Sequence, residues 1–363
     1  MNIADLDTPS LLVDLDRLEE NIRRMAGIAG TASVQLRPHA KTHKLPEIGR
    51  MQIAAGSPGL TVAKLGEAEM FADHGIEDLY VAYPLWGEQK WERLCRLAAR
   101  TTVRVAADSF DVIDGISRTA ARHGMRIKVR LEVDSGMGRC GLQNVDEVLD
   151  LARRMDSLPG VELVGLMGYA GHATDRPDNE GIKQAGFAEG RHLVGIAESL
   201  RAQGFAVPEL SVAGTPTAPY AAQLPGITEI RPGTYVFSDR SQVATGWSSL
   251  DECALTVQVT VVSRPTPTRA IVDGGSKTFS SDLAVRSSGY GAVRGWPELS
   301  FSQLKEEHGT LEIPAGTNLP IGTRLQIIPN HCCACVNLHD RVAAVRSERV
   351  EAMWPVVGRG LVQ

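Results

Sequence analysis

The 363-residue chain has no long run of one charge sign, and 38 basic against 43 acidic side chains leave a net charge of only −5 at pH 7. A nucleic-acid or anionic-membrane partner, which would need a basic footprint, is thereby excluded. No apolar stretch is long enough to span a bilayer. The start, Met1 to Asp7, lacks the basic-then-apolar order of a secretion leader, so the expected location is cytoplasmic. Evenly spread cysteines are also missing: the six stand at 95, 140, 253, 332, 333 and 335. In a reducing compartment a tight cluster such as 332–335 reads as metal-binding or reactive rather than disulfide-bonded. Cys95, in a helical pattern, and Cys253, at a strand edge, read as small buried apolar residues. There is no internal repeat and no low-complexity tract. The 43% hydrophobic and 22% charged residues are ordinary for a globular protein, and the length suggests two domains.

Extended, β-branched or apolar runs occur at 33–37, 59–64, 78–83, 103–107, 126–134, 161–169, 209–214 and 228–231. Most gaps between them carry helical spacing, as in Leu18, Ile22, Met25 and Ile28, or in the stretch around Met70 that ends at Gly75. Eight strand–helix units are the count for a closed parallel barrel. A doubly wound open sheet is the rival, but no Gly-rich dinucleotide loop follows the first strand. The expected fold class is therefore α/β, with a (β/α)8 barrel over 10–238. After Ser238 the segments 254–262, 268–273, 323–328 and 341–345 are β-branched without helical spacing, and Pro and Gly punctuate the gaps. These predict a mostly β domain over 239–363, joined by residues 1–9.

In such a barrel the loops after the strands carry the chemistry. Lys41 follows the first run, among Arg37, His39, His43 and Lys44. Neighbouring positive charges disfavour a protonated amine, which suits attack on a carbonyl; an anion-binding loop is the plainer reading. The loop Asp134-Ser135-Gly136-Met137-Gly138-Arg139-Cys140-Gly141 joins glycines, which permit sharp turns, to an arginine fork suited to an oxyanion. Gly214 and Thr215 end the seventh run, and Tyr235 closes the loop after the eighth. Barrel phosphates commonly bind at those two loops. Tyr169 and His172 follow the sixth run and are natural proton handlers.

Far along the chain, His331 and Cys333 form an H-x-C pair. Imidazole and thiolate together suit zinc or another borderline divalent ion, and two protein ligands leave an open, catalytic position. If the segment is extended, residues two apart face the same side, which admits Cys335 as well. Cys332 is a further competitor, and a metal-free cluster of buried thiols is the alternative.

These pieces, in this order, resemble the fold-type III pyridoxal-phosphate enzymes of the alanine-racemase barrel group. Within it they are most similar to the D-threonine aldolase and metal-dependent D-serine dehydratase family. The likeness covers essentially the whole chain, from Asp7-Thr8-Pro9-Ser10 through Arg37 to Lys44 and Asp134 to Gly141. It ends in Glu307-His308-Gly309, Pro329-Asn330-His331-Cys332-Cys333 and Asn337-Leu338-His339-Asp340. It implies pyridoxal 5′-phosphate held as a Schiff base on Lys41, with Arg139 beside the phenolic oxygen. His39, Tyr169, Gly214, Thr215 and Tyr235 fall in cofactor-holding segments. His331 and Cys333 match the ligands of a divalent metal (zinc, manganese or magnesium), and Tyr169 an active-site tyrosine. The family's proton-handling histidine stands a few residues after that tyrosine, and His172 is the nearest here.

The implied activity is a lyase acting on small β-hydroxy-D-amino acids. Aldol cleavage to glycine and an aldehyde ranks ahead of dehydration of D-serine or 3-hydroxyaspartate to a keto acid and ammonia. His-x-Cys, where some aldolases carry His-x-Asp, favours the dehydratase branch. A racemase needs no metal, which the H-x-C pair opposes. A non-enzymatic cofactor carrier lacks the second domain. The family layout also implies a homodimer.

Overall fold

A computed structural model describes residues 1–363, which divide into two compact units. One comprises residues 25–41, 48–233 and 361–363; the other comprises 1–24, 42–47 and 234–360. No helix is long and apolar enough to cross a membrane.

The first strand, β1 (Ser10–Asp14), belongs to the second unit. The larger unit carries β2 (Gln35–Leu36), β3 (Leu60–Val62), β4 (Asp78–Val81), β5 (Thr102–Ala107), β6 (Ile127–Glu132), β7 (Val161–Met167), β8 (Glu209–Val212) and β9 (Glu229–Ile230). All are parallel, in the order β2-β9-β8-β7-β6-β5-β4-β3. A parallel bridge between His39 and Thr61, with the Thr61 N–H on the Pro38 carbonyl at 2.8 Å, joins the two ends of that order. The eight runs are therefore the eight strands of the expected barrel. Helices follow the sequence signals. The helix Val145–Asp156 is N-capped by the Asn144 side chain on Glu147 N–H, and Asn179–Ala202 by Asp178 on Gly181 N–H. The helix Phe110–Arg122 buries Val112, Ile113, Ile116 and Ala120, its apolar stripe at three- and four-residue steps.

The barrel interior is not wholly apolar. Arg37 and Arg130 are 1% exposed, and both hold Glu229, itself 1% exposed: Arg37 Nε at 2.8 Å, Arg130 Nη1 at 2.5 Å and Nη2 at 3.1 Å. Arg37 also reaches Asp78 at 2.7 Å, Arg104 contacts Asp78 at 2.5 Å, and Arg130 contacts Glu209 at 2.7 Å. Ser211 Oγ donates to Glu229 at 2.6 Å. Burial opposes ionisation of Glu229, but the guanidinia of Arg130 and Arg37 and the Ser211 hydroxyl outweigh it and hold the carboxyl far below the usual range.

The second unit is built on a nine-stranded sheet. Its members are β1, β10 (Leu255–Thr266), β11 (Arg269–Val272), β12 (Gly291–Val293), β13 (Ser300–Leu304), β14 (Gly309–Glu312), β15 (Arg324–Pro329), β16 (Arg341–Arg346) and β17 (Arg349–Pro355), in the order β11-β14-β13-β12-β15-β10-β1-β16-β17. The expected boundaries of 10–238 and 239–363 need correction. β1 pairs antiparallel with β10 through Leu11–Val257 and parallel with β16 through Val13–Ala344. Its Leu11, Leu12 and Val13, all at most 2% exposed, are buried by that sheet, so residues 1–24 join the β unit. At the other boundary the β unit begins at Thr234 rather than at 239.

Replacing Glu229 with alanine leaves Arg37 and Arg130 buried without their shared partner. Unfolding in urea at pH 7 is expected to show a loss of about 3–5 kcal/mol. Because folding depresses this carboxyl, its stabilisation is present above the unfolded value of about 4.3. It is lost as pH falls through the lower folded value. The acid limb of the stability profile should accordingly flatten in the variant.

Candidate functional site

Two groups of side chains stand out, one in each unit. In the barrel unit the loops after β6, β7 and β8 converge. Asp134 organises the first of them: its carboxylate accepts the N–H groups of Gly136 at 2.9 Å and Met137 at 2.8 Å, and that of Gly138. Burial opposes its charge, but these N–H groups outweigh it and lower the carboxyl below its ordinary value. Gly136 has φ +102°, and a β-carbon there would lie 2.9 Å from Cε1 of His172. The glycine is required both by the turn and by the imidazole seated on it. The exposed guanidinium of Arg139 lies 5.2 Å from the ring centroid of Tyr169. Gly214, at φ +111°, would place a β-carbon 2.3 Å from Thr217 Oγ1 and 3.9 Å from the Tyr169 ring. Arg139, Tyr169, His172 and Gly214 thus form one neighbourhood, as the sequence order of their loops suggests. Thr215, 3% exposed, follows in the same loop.

Lys41 lies half-buried in the short turn Ala40–Thr42, after β2, and His39 bridges to Thr61 just before it. The bases near Lys41 in sequence have partners of their own. Arg37 is turned into the barrel and neutralised by Glu229 and Asp78. Lys44 Nζ donates to Asn337 Oδ1 at 2.8 Å, and His43 Nδ1 accepts the Leu45 N–H at 3.1 Å.

Two buried residues that sequence reasoning gave no role flank these loops. Arg231, 2% exposed, donates from Nη1 to Ser211 Oγ at 2.5 Å and from Nη2 to the Gly168 carbonyl at 2.9 Å, while its buried Nε has no partner. Glu189 accepts the Ala213 N–H at 3.1 Å, and burial pushes its carboxyl up to about 7. Their signal in the sequence was charge at positions otherwise reading as core. A primary amine after the first strand, an orphaned guanidinium N–H, and a glycine whose β-carbon would fill the loop after β8 suit a planar phosphorylated carbonyl cofactor. The residues present fit pyridoxal phosphate.

The second group lies in the β unit. His331 is the N-cap of a short helix, Cys332–Val336. Beyond His331 the segment is helical rather than extended. Cys333 stands in the first helical turn, and Cys332 and Cys335 are fully buried, Cys335 Sγ facing the Thr278 carbonyl at 3.3 Å. The His331 imidazole nevertheless hydrogen-bonds the Cys333 thiol, whose sulfur is 3.4 Å from Thr42 Oγ1. His331 Nδ1 meets Asp282 Oδ2 at 2.6 Å. Fully buried Asp239 accepts the Cys332 N–H at 3.0 Å and the Gln242 N–H at 2.9 Å. Burial opposes a charged imidazole, but Cys333, Asp239 and Asp282 outweigh it and push His331 up to about 10. No group of three His, Cys, Asp or Glu side chains is arranged to hold a metal ion, so the donors on offer to a divalent ion are two, an imidazole nitrogen and a cysteine sulfur. That pair fits a soft-to-borderline cation. Tyr235, 1% exposed in the turn Thr234–Val236, also belongs to this unit.

Residues 13–241 match the family described as alanine racemase, N-terminal domain, and residues 254–345 the one described as "Putative serine dehydratase domain". The chain is 34% identical to D-threonine aldolase of Arthrobacter sp. over 361 residues, covering 99% of this chain and 94% of that protein. It is 34% identical to D-threo-3-hydroxyaspartate dehydratase of Delftia sp. (strain HT23) over 350 residues, covering 92% of each. A solved structure of a cysteine-to-alanine mutant of D-threo-3-hydroxyaspartate dehydratase, in its metal-free form, superposes with a TM-score of 0.92 at 31% identity, covering 98% of both chains.

In metal-free protein the His331 imidazole is expected to titrate well above the ordinary histidine value, followed by imidazole NMR. Cys333→Ala, by removing the sulfur that contributes most to that rise, should lower it.

Proposed function

Because the chain belongs to the alanine-racemase-type barrel family that includes D-threonine aldolase and D-threo-3-hydroxyaspartate dehydratase, we propose that it cleaves β-hydroxy-D-amino acids by a retro-aldol reaction to glycine and an aldehyde. That the chain is a lyase of this group rests on relatives matched along nearly its full length. The observation that carries the proposal is the coexistence of a cofactor-type lysine loop at Lys41 with an imidazole–thiolate pair at His331 and Cys333. Neither a racemase nor a cofactor carrier requires both.

Bound pyridoxal phosphate would supply an electron sink for a carbanion at the substrate's α-carbon, and a divalent ion would supply Lewis acidity toward its β-hydroxyl. The chain's own residues do the rest. Lys41 offers the amine that holds the cofactor covalently. Gly214 and Thr215 offer backbone donors for its phosphate, and Arg139 a guanidinium against the Tyr169 ring for its phenolic oxygen. Arg231 presents the buried Nε–H as a donor that stays protonated at neutral pH. Tyr169 and His172 are the proton handlers, His172 held in place by its seat on Gly136. His331 and Cys333 hold the ion. The six cysteines are all free, which suits a reducing, cytoplasmic compartment, and the family layout supports a homodimer.

The second reading is dehydration, giving a keto acid and ammonia. It is favoured by Cys333, since a metal-free form of the dehydratase relative is a cysteine mutant. Incubation with D-threonine, D-serine and D-threo-3-hydroxyaspartate, with glycine, aldehyde, ammonia and keto acid all measured, decides between them. Glycine with stoichiometric aldehyde is the expected result; ammonia with keto acid sinks the aldolase reading in favour of dehydration. Chelation and Cys333→Ala are each expected to abolish turnover while the bound cofactor's visible absorbance persists. Full activity after verified metal removal would eliminate the metal-dependent lyase.

Borohydride reduction of the holoenzyme followed by peptide mapping is expected to place the pyridoxyl group on Lys41. A label on Lys44 or Lys64 refutes that assignment.

A further inference from the structure

We propose that Asp282 is a positioning residue that orients His331 for the metal, and that Asn330 fastens it there; this rests on the metal reading of His331 and Cys333. A ligating imidazole has two nitrogens, and the one not on the metal must donate to something that fixes the ring plane and tautomer. Asp282 Oδ2 lies 2.6 Å from His331 Nδ1. With Nδ1–H given to the carboxylate, Nε2 is the nitrogen left with a lone pair for the ion.

The segment carrying Asp282 is irregular. It runs between the short helix Ser276–Phe279 and β12 and exposes Ser281, Asp282 and Leu283. Nothing in its own secondary structure would hold a carboxylate in register with an imidazole 49 residues away. Asn330, the residue immediately before His331 and only 2% exposed, supplies the fastening. Its carboxamide donates to the Asp282 carbonyl at 3.0 Å and the Gly289 carbonyl at 2.9 Å, gripping both ends of the segment. Arg240 adds a contact to the Ser288 carbonyl and one to Asn330 Oδ1 at 3.4 Å. The backbone that delivers the metal ligand thus also delivers its orienting carboxylate. An ion pair whose side chains are 42% and 46% exposed contributes little to folding, so stability alone does not account for such a fastening.

The test uses cofactor-loaded protein stripped of metal and titrated with zinc against a chromophoric chelator. Asp282→Ala is expected to weaken zinc roughly ten- to a hundredfold, with melting temperature and pyridoxal-phosphate affinity unchanged. Asp282→Asn keeps an acceptor oxygen without the charge and should fall between. His331→Ala is the reference and should lose the site. Parental zinc affinity in Asp282→Ala, with loss in His331→Ala, overturns this inference and leaves the metal reading standing. Retained zinc in His331→Ala overturns the metal reading itself. A parallel fall in melting temperature and cofactor affinity in Asp282→Ala would make Asp282 a fold residue and likewise overturn the inference.

Discussion

The carboxylate of Glu229 is the constraint from which the barrel's working end is built. It stands on β9 and is gripped by Arg37, from the residue following β2, and by Arg130 on β6. β2 and β9 are neighbours in the sheet, so the Arg37 contact reinforces a backbone pairing, whereas the Arg130 contact reaches across the interior. Fixing Arg37 fixes the turn four residues later that presents Lys41. Fixing Glu229 fixes Arg231 two residues later, on the same face by strand alternation, and with it the Ser211 hydroxyl that serves both residues. The loops proposed to carry the chemistry are irregular, so their precision must be imported from the network beneath them.

That precision has an energetic cost. Buried ion pairs recover their desolvation only when geometry is good and every remaining donor is satisfied. Arg37 and Arg130 meet this by binding two carboxylates each. Arg231 does not: its Nε is orphaned, and its nearest carboxylate-type neighbours act at a distance. Arg104 shares such an orphaned Nε but keeps carboxylate partners at Asp78 and Glu209, whereas Arg231 is held by Ser211 and the Gly168 carbonyl.

Much of this architecture was legible in the residues alone, because period and count are local properties. Eight extended runs alternating with helical spacing gave eight strands, and Gly75 and Gly204 stop helices at positive φ. The loops bearing Arg139, Tyr169, His172 and Gly214 could be placed together because barrel topology puts every strand end on one rim. What failed was inference from sequence adjacency to spatial adjacency. Near Lys41 in sequence, Arg37, His43 and Lys44 answer to different partners. β1 reads as part of the barrel region by position, yet its pairing with β10 and β16 is non-local, as sheet pairings are. His331 and Cys333 do meet, but through an N-cap and a first helical turn rather than along a strand.

The β unit solves a different problem from the barrel. The proposed two-ligand metal site would have little chelation of its own, so ligand geometry must come from the surroundings. Asp239 shows how: fully buried, it caps the helix Arg240–Ala244 through Gln242 and simultaneously accepts the Cys332 N–H, binding two short helices to one carboxylate. Cys333 follows directly from the residue so held, and His331 directly precedes it. A five-residue helix has negligible stability alone, so the rotamers of both donors depend on that shared anchor. Cys332, between them, is driven by burial, by its hydrogen bond with Cys333 and by Asp239 toward the protonated thiol. Under the proposed metal reading, the same carboxylate that sets the helix also disfavours Cys332 as a ligand.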